Sequence, residues 1–190
     1  MARDLQAYIL DVASDLFYRQ GIKNTGVDAI VKAAGTTKMS LYKYYPSKDD
    51  LVLAHLHKSR EAIRELLLQG LEKQADPQQK LLAIFDVFAD LQADPSFRGC
   101  PFINAAAEFA EQGGAVQQAA ADYTKAFRKL MADLARQAGI VQADELAGQL
   151  AMLIAGAMAS EQIQKGSGAM INARKAGEIL IAAAQAGASE

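Results

Sequence analysis

The segment from residue 35 to residue 51 constrains the fold of this chain more than any other part of it. It reads Gly-Thr-Thr-Lys-Met-Ser-Leu-Tyr-Lys-Tyr-Tyr-Pro-Ser-Lys-Asp-Asp-Leu. A turn at Gly35 opens a short polar helix, and Pro46 closes it because proline disfavours helix at the preceding residue. Such a helix has too little apolar surface to be a core element. It makes physical sense as an element inserted into a groove, and the DNA major groove is the leading candidate.

Two further helices precede this short one. Helix 1 covers about residues 4–19, where apolar side chains recur at the i, i+3, i+4, i+7 and i+8 positions of an amphipathic helix. Helix 2 begins after Thr25, and the spacing of Thr25 and Asp28 is that of a capping box. Helix 3 is the short helix itself, over about residues 38–44, with Thr37 as its N-cap. The pattern of three short helices with a glycine turn is typical of a helix-turn-helix unit.

The rest of the chain shows helical periodicity as well. A second capping box, from Ser47 to Asp50, begins a long helix 4 that extends to about residue 74. Helix 5 follows Pro77, and a short helix follows the break at residues 94–101. Three more helical stretches are predicted at about 115–138, 142–164 and 172–187.

Composition supports an all-α fold. The 190 residues are 51% hydrophobic and contain no Trp, a profile that favours a helical protein over a β-sandwich. We predict about nine helices, with an N-terminal three-helix helix-turn-helix unit joined by the long helix 4 to a C-terminal helical bundle. The predicted domains are a helix-turn-helix DNA-binding domain at 1–46 and a helical-bundle domain at 47–190.

The compartment follows from what the chain lacks. No window has the length and apolarity of a membrane span, and the N-terminus has no apolar signal region. The single cysteine cannot form an intrachain disulfide, which fits a reducing environment. The sequence therefore predicts a soluble, cytoplasmic protein without a membrane partner.

Charge is distributed unevenly along the chain. The net charge is only −2, which taken alone argues weakly against a nucleic-acid partner. Between residues 19 and 48, however, a single acid, Asp28, faces six basic residues: Arg19, Lys23, Lys32, Lys38, Lys43 and Lys48. A local basic patch on a mildly acidic body can bind phosphate without making the whole protein adhesive.

The N-terminal segment resembles the TetR family of bacterial repressors. The matching residues are Ile-Leu-Asp-Val-Ala-Ser-Asp-Leu-Phe at 9–17, Gly21, the stretch 25–34, and Gly-x-x-Lys-x-Ser-Leu-Tyr-x-Tyr-Tyr-Pro-Ser-Lys-Asp-Asp-Leu at 35–51. The resemblance implies a homodimer that binds a palindromic double-stranded DNA operator and releases it when a small molecule enters the C-terminal helices. It thus implies that 47–190 is an effector-binding and dimerisation domain. Activators share this fold, and repression is the commoner role.

The residues expected to contact DNA follow from helix 3 and from the resemblance. Lys38 can donate to guanine, and Lys43 can contact a base edge or a phosphate. Tyr42 matches the family tyrosine that hydrogen-bonds a phosphate. Met39 departs from the glycine of many members and can reach a thymine methyl group. The alternative is a solvated basic face with tyrosines that cover the hydrophobic core of the three-helix unit. Leu41 and Tyr45 are expected to belong to the core and not to contact DNA. The predicted contacts are Thr25, Thr36, Thr37, Lys38, Met39, Ser40, Tyr42, Lys43, Tyr44 and Lys48.

Cys100 lies in the second most distinctive stretch, residues 97–109. Some repressors that look similar here use such a cysteine to sense electrophiles or oxidants. A thiol at a helix N-terminus beside Arg98 would also have a lowered pKa and more thiolate. This suggests, as an alternative function, a thiol-based redox- or electrophile-sensing repressor. The competing interpretation is an inert cysteine that fills a packing gap.

An effector pocket is predicted around the same stretch and its neighbouring helices. Asn104 and Glu108 lie one turn apart on one helix, and several aromatic residues lie at helical spacing nearby. The competing interpretation is ordinary core, with the two polar side chains bound to main-chain groups. The candidate pocket residues are Phe85, Phe88, Cys100, Phe102, Asn104, Glu108, Phe109, Tyr123, Phe127 and Met131.

Small side chains indicate a dimer interface. They dominate the segments 147–159 and 176–184, and small residues allow two helices to approach closely. We therefore predict a homodimer through the helices at 142–164 and 172–187, against the alternative of an ordinary buried bundle.

No constellation of residues indicates catalysis, a cofactor or a metal. His55 and His57 are two positions apart and so lie on different faces of a helix, unlike a shared pair of ligands. The remaining alternative is a helical-bundle enzyme or small-molecule carrier without a DNA-binding role, which nothing in the sequence supports with a catalytic motif.

Overall fold

The computed structural model describes residues 4–109 and 114–186, and these residues form helices and connecting turns without a strand. In chain order the helices are α1 Leu5–Gln20, α2 Val27–Ala33, α3 Lys38–Tyr44, α4 Lys48–Glu72, α5 Pro77–Ala93, α6 Pro101–Glu108, α7 Ala115–Gln137, α8 Ala143–Ile163 and α9 Ala169–Ala186. The prediction of an all-α protein with about nine helices is confirmed. Among the described residues, no helix combines the length and the apolarity that a membrane span requires.

The chain divides into two compact units. One contains Met1–Glu61 and Pro101–Ala121, and the other contains Ala62–Cys100 and Asp122–Glu190. Helices α4 and α7 therefore each contribute residues to both units. The functional division predicted at residue 46 is a boundary of a different kind and stays a prediction.

The first unit is built on the apolar stripe of α1. Ile9, Ala13 and Phe17 recur on one side of the helix and are buried, as the periodicity predicts. Ile30 of α2 and Leu41 of α3 are fully buried, and α1, α2 and α3 pack against one another. Burial of one such side chain stabilises the folded state by about 1.5–3 kcal/mol. This small core fixes which faces of α2 and α3 remain exposed.

The second unit is a bundle in which α5, α8 and α9 pack against one another. Gly177 of α9 permits a close approach to α5, since a Cβ atom at this position would lie 2.9 Å from Cζ of Phe85. Gln92 is buried, and its Nε2 atom donates to the carbonyl of Ala157 at 3.1 Å. The polar group is thus satisfied within the bundle.

Two predicted helix starts differ from the structure. Gly26 is the N-cap of α2 and provides no side-chain cap, so the predicted capping box at Thr25 is wrong. The Thr25 hydroxyl donates to the Gly21 carbonyl at 2.7 Å and is used inside the loop. Helix α9 begins at residue 169, earlier than the predicted 172, because Oγ of Ser167 accepts a hydrogen bond from the Ala169 N–H.

Candidate nucleic-acid interface

Helix α3 is fixed at its start and along its inner face. Oγ1 of Thr37 accepts a hydrogen bond from the Ser40 N–H at 3.1 Å, so the predicted N-cap is confirmed. Leu41 is fully buried, and Tyr45, which follows the helix, is 6% exposed. The Tyr45 hydroxyl donates to a main-chain carbonyl of α1 at 3.2 Å. The prediction that Leu41 and Tyr45 belong to the core is confirmed.

The opposite side of α3 points to solvent. Met39, Tyr42 and Lys43 are spaced i, i+3 and i+4, so they share one side of the helix, which we call the outward face. Met39 is 82% exposed, Tyr42 is 43% exposed, and Lys43 is exposed as well. The Lys43 ammonium lies 5.8 Å from the centroid of the half-buried Tyr44 ring. The outward face can offer a groove an apolar contact, a hydroxyl and a positive charge.

Lys38 has a partner within the protein. Its Nζ atom lies 2.8 Å from a carboxylate oxygen of Asp28 on α2, and this hydrogen bond and charge raise the pKa of Lys38. Both side chains are exposed, so solvent screens the pair and it adds little to the stability of the fold. Contact with DNA would require the Lys38 side chain to exchange Asp28 for a phosphate or a base. This role of Asp28 was not predicted from the sequence, because Asp28 lies ten positions away from Lys38 and no local motif connects them.

The α1–α2 loop, residues 21–26, uses two of the residues predicted to contact DNA. Thr25 is fully buried, and its hydroxyl is hydrogen-bonded inside the loop. Lys48, at the start of α4, donates from Nζ to the Ile22 carbonyl at 2.6 Å. Both side chains therefore hold the loop in this structure. Their predicted contacts with DNA remain predictions.

Glu108 holds the same loop from α6. Its two carboxylate oxygens accept hydrogen bonds from the main-chain N–H groups of Ile22, at 3.0 Å, and Lys23, at 2.6 Å. Gly21 has φ +88°, a conformation that favours glycine, and a Cβ atom there would lie 3.2 Å from the Glu108 carboxylate. Glu108 was predicted to line an effector pocket, and its contact with the loop was not predicted from the sequence.

Three other predicted pocket residues also belong to the first unit. Phe102 of α6 is buried, whereas Asn104 of α6 and Phe109, which follows it, are half-buried. The carbonyl of Phe109 accepts a hydrogen bond from Nε2 of Gln117 at 2.6 Å, which fixes the end of α6. The predicted roles of these residues in effector binding remain predictions.

The second unit contains the other six predicted pocket residues. Phe127 meets Phe88 edge-on at 5.5 Å and is stacked with Tyr123 at 6.1 Å between ring centroids. Burial, and secondarily the charge of the neighbouring Cys100, raises the pKa of Tyr123 well above its usual range. Phe85 and Met131 are almost completely buried. We call Phe88, Phe127 and Tyr123 the aromatic row. Its member Tyr123 lies near the half-buried thiol of Cys100.

A separate groove in the second unit has a volume of about 340 Å³. It is lined by residues of α4 and α5 and the residue after α5, none of which was predicted to bind an effector: Leu66, Gln69, Gly70, Lys73, Val87, Asp90, Leu91 and Asp94.

The two histidines of α4 differ in their surroundings. His55 is buried, with its ring 5.7 Å from that of Phe17, whereas His57 is exposed. Burial, and secondarily the charge of Lys58, lowers the pKa of His55 to about 4. Among the described residues, no group of three or more His, Cys, Asp or Glu side chains is arranged to hold a metal ion.

Comparison with known protein families covers most of the chain. The model for bacterial regulatory proteins of the tetR family matches residues 9–55. The model for the tetracyclin repressor-like C-terminal domain matches residues 77–177. The first match contains α2, α3 and the outward face, and the second contains α5, α6, α7, α8 and the whole aromatic row.

Individual relatives are transcriptional regulators. The chain is 27% identical to the HTH-type transcriptional regulator LmrA of Bacillus subtilis, covering 72% of this chain and 73% of that protein. It is 29% identical to the HTH-type transcriptional regulator YxaF of the same organism, covering 80% and 79%. The crystal structure of SCO4454, a TetR-family transcriptional regulator from Streptomyces coelicolor, superposes with a TM-score of 0.90 at 27% identity, covering 95% of each chain. These similarities favour a regulator over a carrier or an enzyme.

Proposed function

Because the chain belongs to the TetR family of bacterial regulatory proteins, we propose that it is a repressor that binds a palindromic DNA operator as a homodimer and leaves it when a small molecule binds. The observation that carries the DNA-binding role is the outward face of α3. Met39, Tyr42 and Lys43 are exposed together, while the inner side of the same helix is packed and capped. A side chain that the fold does not use is available to a partner.

The chemistry of the outward face fits a DNA duplex. The Tyr42 hydroxyl and the Lys43 ammonium are donors suited to phosphate oxygens, and phosphate contacts set the register of a helix in the groove. The local excess of basic residues supplies the long-range attraction. Thr36, Thr37, Lys38, Ser40, Tyr44 and Lys48 complete the proposed interface. We leave Thr25 out because its side chain is buried.

A dimer is supported by the exposed sides of α8 and α9. On α8, Met152 and Ile163 are 69% and 87% exposed, and the small residues Gly156 and Ala159 lie on the same side of the helix. On α9, Ile179 is 71% exposed. Apolar and small side chains on two neighbouring helices suit close packing against a second copy. Two copies related by a two-fold axis would present two α3 helices to a palindrome.

The effector is proposed to contact the aromatic row of the second unit. Phe127 and Tyr123 are half-buried and leave ring surface that suits a ligand with apolar or aromatic groups, while the buried Phe88 packs edge-on against Phe127. A coupling of about 1–3 kcal/mol between effector and operator would be sufficient for a usable switch.

Operator binding is tested by selecting from random DNA duplexes with the full chain, followed by fluorescence-anisotropy titrations at several salt concentrations. We expect a palindrome to be enriched and its affinity to fall steeply with salt. Lys43→Ala should lower the slope of log affinity against log salt by about 1 for each protomer. The matched control is Lys129→Ala, since Lys129 is also exposed but lies on α7. Failure to enrich any palindrome would contradict the proposed function.

Dimerisation is tested by placing a charge on the exposed side of α8. Met152→Lys should convert the dimer to a monomer, and the molar mass measured by light scattering during size-exclusion chromatography should fall by half. Val141→Lys is the control, because Val141 is 80% exposed and precedes the helix. A Met152→Lys variant that keeps the mass of a dimer would rule out this interface.

A further inference from the structure

Met39 is unusual among the residues of α3 because it is both large and apolar, yet 82% of it is exposed. A single exposed apolar side chain needs no explanation on most protein surfaces. Here it lies on the face that is proposed to meet DNA, one turn before Tyr42 and Lys43. Its neighbours decide whether it has a role there.

The other side chains of the first turn are already occupied. Thr37 accepts a hydrogen bond from the Ser40 N–H, and its hydroxyl donates to Oγ of Ser40 at 3.1 Å. Lys38 is paired with Asp28 at 2.8 Å. Leu41, which follows, is fully buried. Met39 is therefore the side chain of this turn that can enter a groove without breaking any interaction of the fold.

The major groove contains one apolar group that such a side chain can recognise. Thymine presents its C5-methyl group there, whereas the edges of the other bases present donors and acceptors. Methionine is long, unbranched and polarizable, so it can adapt its shape to a methyl group in the groove. We propose, on the basis of the proposed function, that Met39 is a specificity-determining residue that selects thymine in each operator half-site through its C5-methyl group.

The same contact disfavours cytosine. Cytosine carries a hydrogen atom instead of the methyl group and presents its N4 amino donor to the groove. The Met39 thioether is only a weak acceptor, so the amino group would lose water without gaining a good partner. Met39 thus selects for thymine through the methyl group and against cytosine through the unsatisfied donor.

The test removes one methyl group at a time. After selection of the operator with the wild-type chain, each thymidine of a half-site is replaced by deoxyuridine, symmetrically in both half-sites, and the affinity is measured by anisotropy. At one position the wild-type protein should bind the deoxyuridine duplex more weakly, by about fourfold for each half-site, the effect of one buried methyl group. A duplex with cytidine at that position should also bind more weakly than the thymidine duplex. Replacing that cytidine by 5-methylcytidine should restore part of the lost affinity, because it returns the methyl group.

The variants assign the methyl group to Met39. Met39→Ala and Met39→Gln should bind the thymidine and deoxyuridine duplexes equally, because neither keeps the apolar contact. Met39→Leu, which stays apolar, should keep part of the preference. Val141→Ala removes an equally exposed apolar side chain outside the interface and should keep the whole preference. An exposed position makes these variants tolerable to the fold.

The outcomes separate this proposal from the one on which it rests. If the wild-type chain enriches no palindrome, the operator-binding proposal fails and the role of Met39 fails with it. If a palindrome is enriched but deoxyuridine is tolerated at every position, the protein is still a DNA-binding regulator and the role of Met39 is wrong. A preference for thymidine that survives in Met39→Ala would also overturn it, since another residue would then recognise the methyl group.

Discussion

The α1–α2 loop and the outward face of α3 lie in the same unit but differ in their polar side chains. Those at the loop are hydrogen-bonded within the protein, whereas those on the outward face are exposed to solvent. In the loop, the carboxylate of Glu108 binds two main-chain N–H groups, and Lys48 binds the Ile22 carbonyl. On the outward face, Tyr42 and Lys43 extend into solvent. Polar side chains of the same unit are thus divided into a set that holds the fold and a set that is available to a partner.

This difference predicts two kinds of mutational effect. Changes in residues that hold the unit should lower the free energy of unfolding, because they leave buried or partly buried groups without partners. Changes on the outward face should lower the affinity for DNA and leave the free energy of unfolding within about 0.5 kcal/mol of the wild-type value. Each prediction below asks whether one residue belongs to the expected set.

The largest effect on the free energy of unfolding is expected from His55, which is buried in the first unit and belongs to the set of residues that hold the fold. Burial lowers its pKa from 6.5 to about 4, so the folded protein favours the neutral ring. Its contribution is therefore complete above pH 6.5 and is lost as the pH falls towards 4. The full loss is about 3 kcal/mol, from the linkage between pKa and stability. Urea denaturation at a series of pH values measures it.

Two variants isolate the contribution of His55. His55→Leu cannot take up a proton, so its stability should lose the part of the pH dependence between 6.5 and 4. The exposed His57, on the same helix, provides the control: His57→Gln should keep the wild-type profile. Identical profiles for His55→Leu and the wild type would show that His55 is not protonated differently in the folded and unfolded chains.

The next largest effect is expected from Glu108. Glu108→Ala removes both acceptors from the α1–α2 loop and should lower the free energy of unfolding by about 2 kcal/mol, the range for hydrogen bonds to a charged group. Glu108→Gln keeps one acceptor oxygen and should lose less. Hydrogen exchange gives a local measurement, because the amide protons of Ile22 and Lys23 should exchange faster in the alanine variant. Unchanged exchange at these two amides would contradict the contact.

The features that the sequence predicted best are the local ones. The start of α3 follows from the N-cap Thr37, and its end follows from Pro46, because each signal lies within a few residues of the boundary it sets. The stripe of α1 likewise predicts its buried side. Periodicity and capping depend on residues within one or two helical turns, so helix boundaries and buried faces can be predicted directly from the sequence.

The contacts that sequence reasoning missed join distant residues. Glu108 is 86 positions from Ile22, and no spacing or motif connects a carboxylate on α6 with two amides of a loop. Lys38 and Asp28 are closer in sequence but lie on different helices. The capping box at Thr25 was predicted from a spacing that the loop uses otherwise. In each case the packing of the helices determines the hydrogen-bond partner, and a local sequence pattern contains no information about that packing.

Lys48 tests the boundary between the two sets. It holds Ile22 in this structure and is also a predicted phosphate contact. Lys48→Met keeps the aliphatic stem and removes the donor, so the free energy of unfolding should fall by about 1 kcal/mol, the value of one hydrogen bond. Denaturation and anisotropy are measured on the same variant. An unchanged stability with a lower salt slope would assign Lys48 to the DNA-binding set and break the comparison drawn above.

The smallest effect on stability is expected from Tyr42. This residue gives the strictest test of the division between residues that hold the fold and residues available to a partner. Tyr42→Phe removes one hydroxyl from a ring that is 43% exposed, so the free energy of unfolding should stay within about 0.5 kcal/mol of the wild-type value. Operator affinity should fall by about 1 kcal/mol, roughly fivefold, because one hydrogen bond to a phosphate is lost. A destabilised variant with unchanged affinity would show that Tyr42 serves the fold, and the outward face would then lose its only hydroxyl for a phosphate contact.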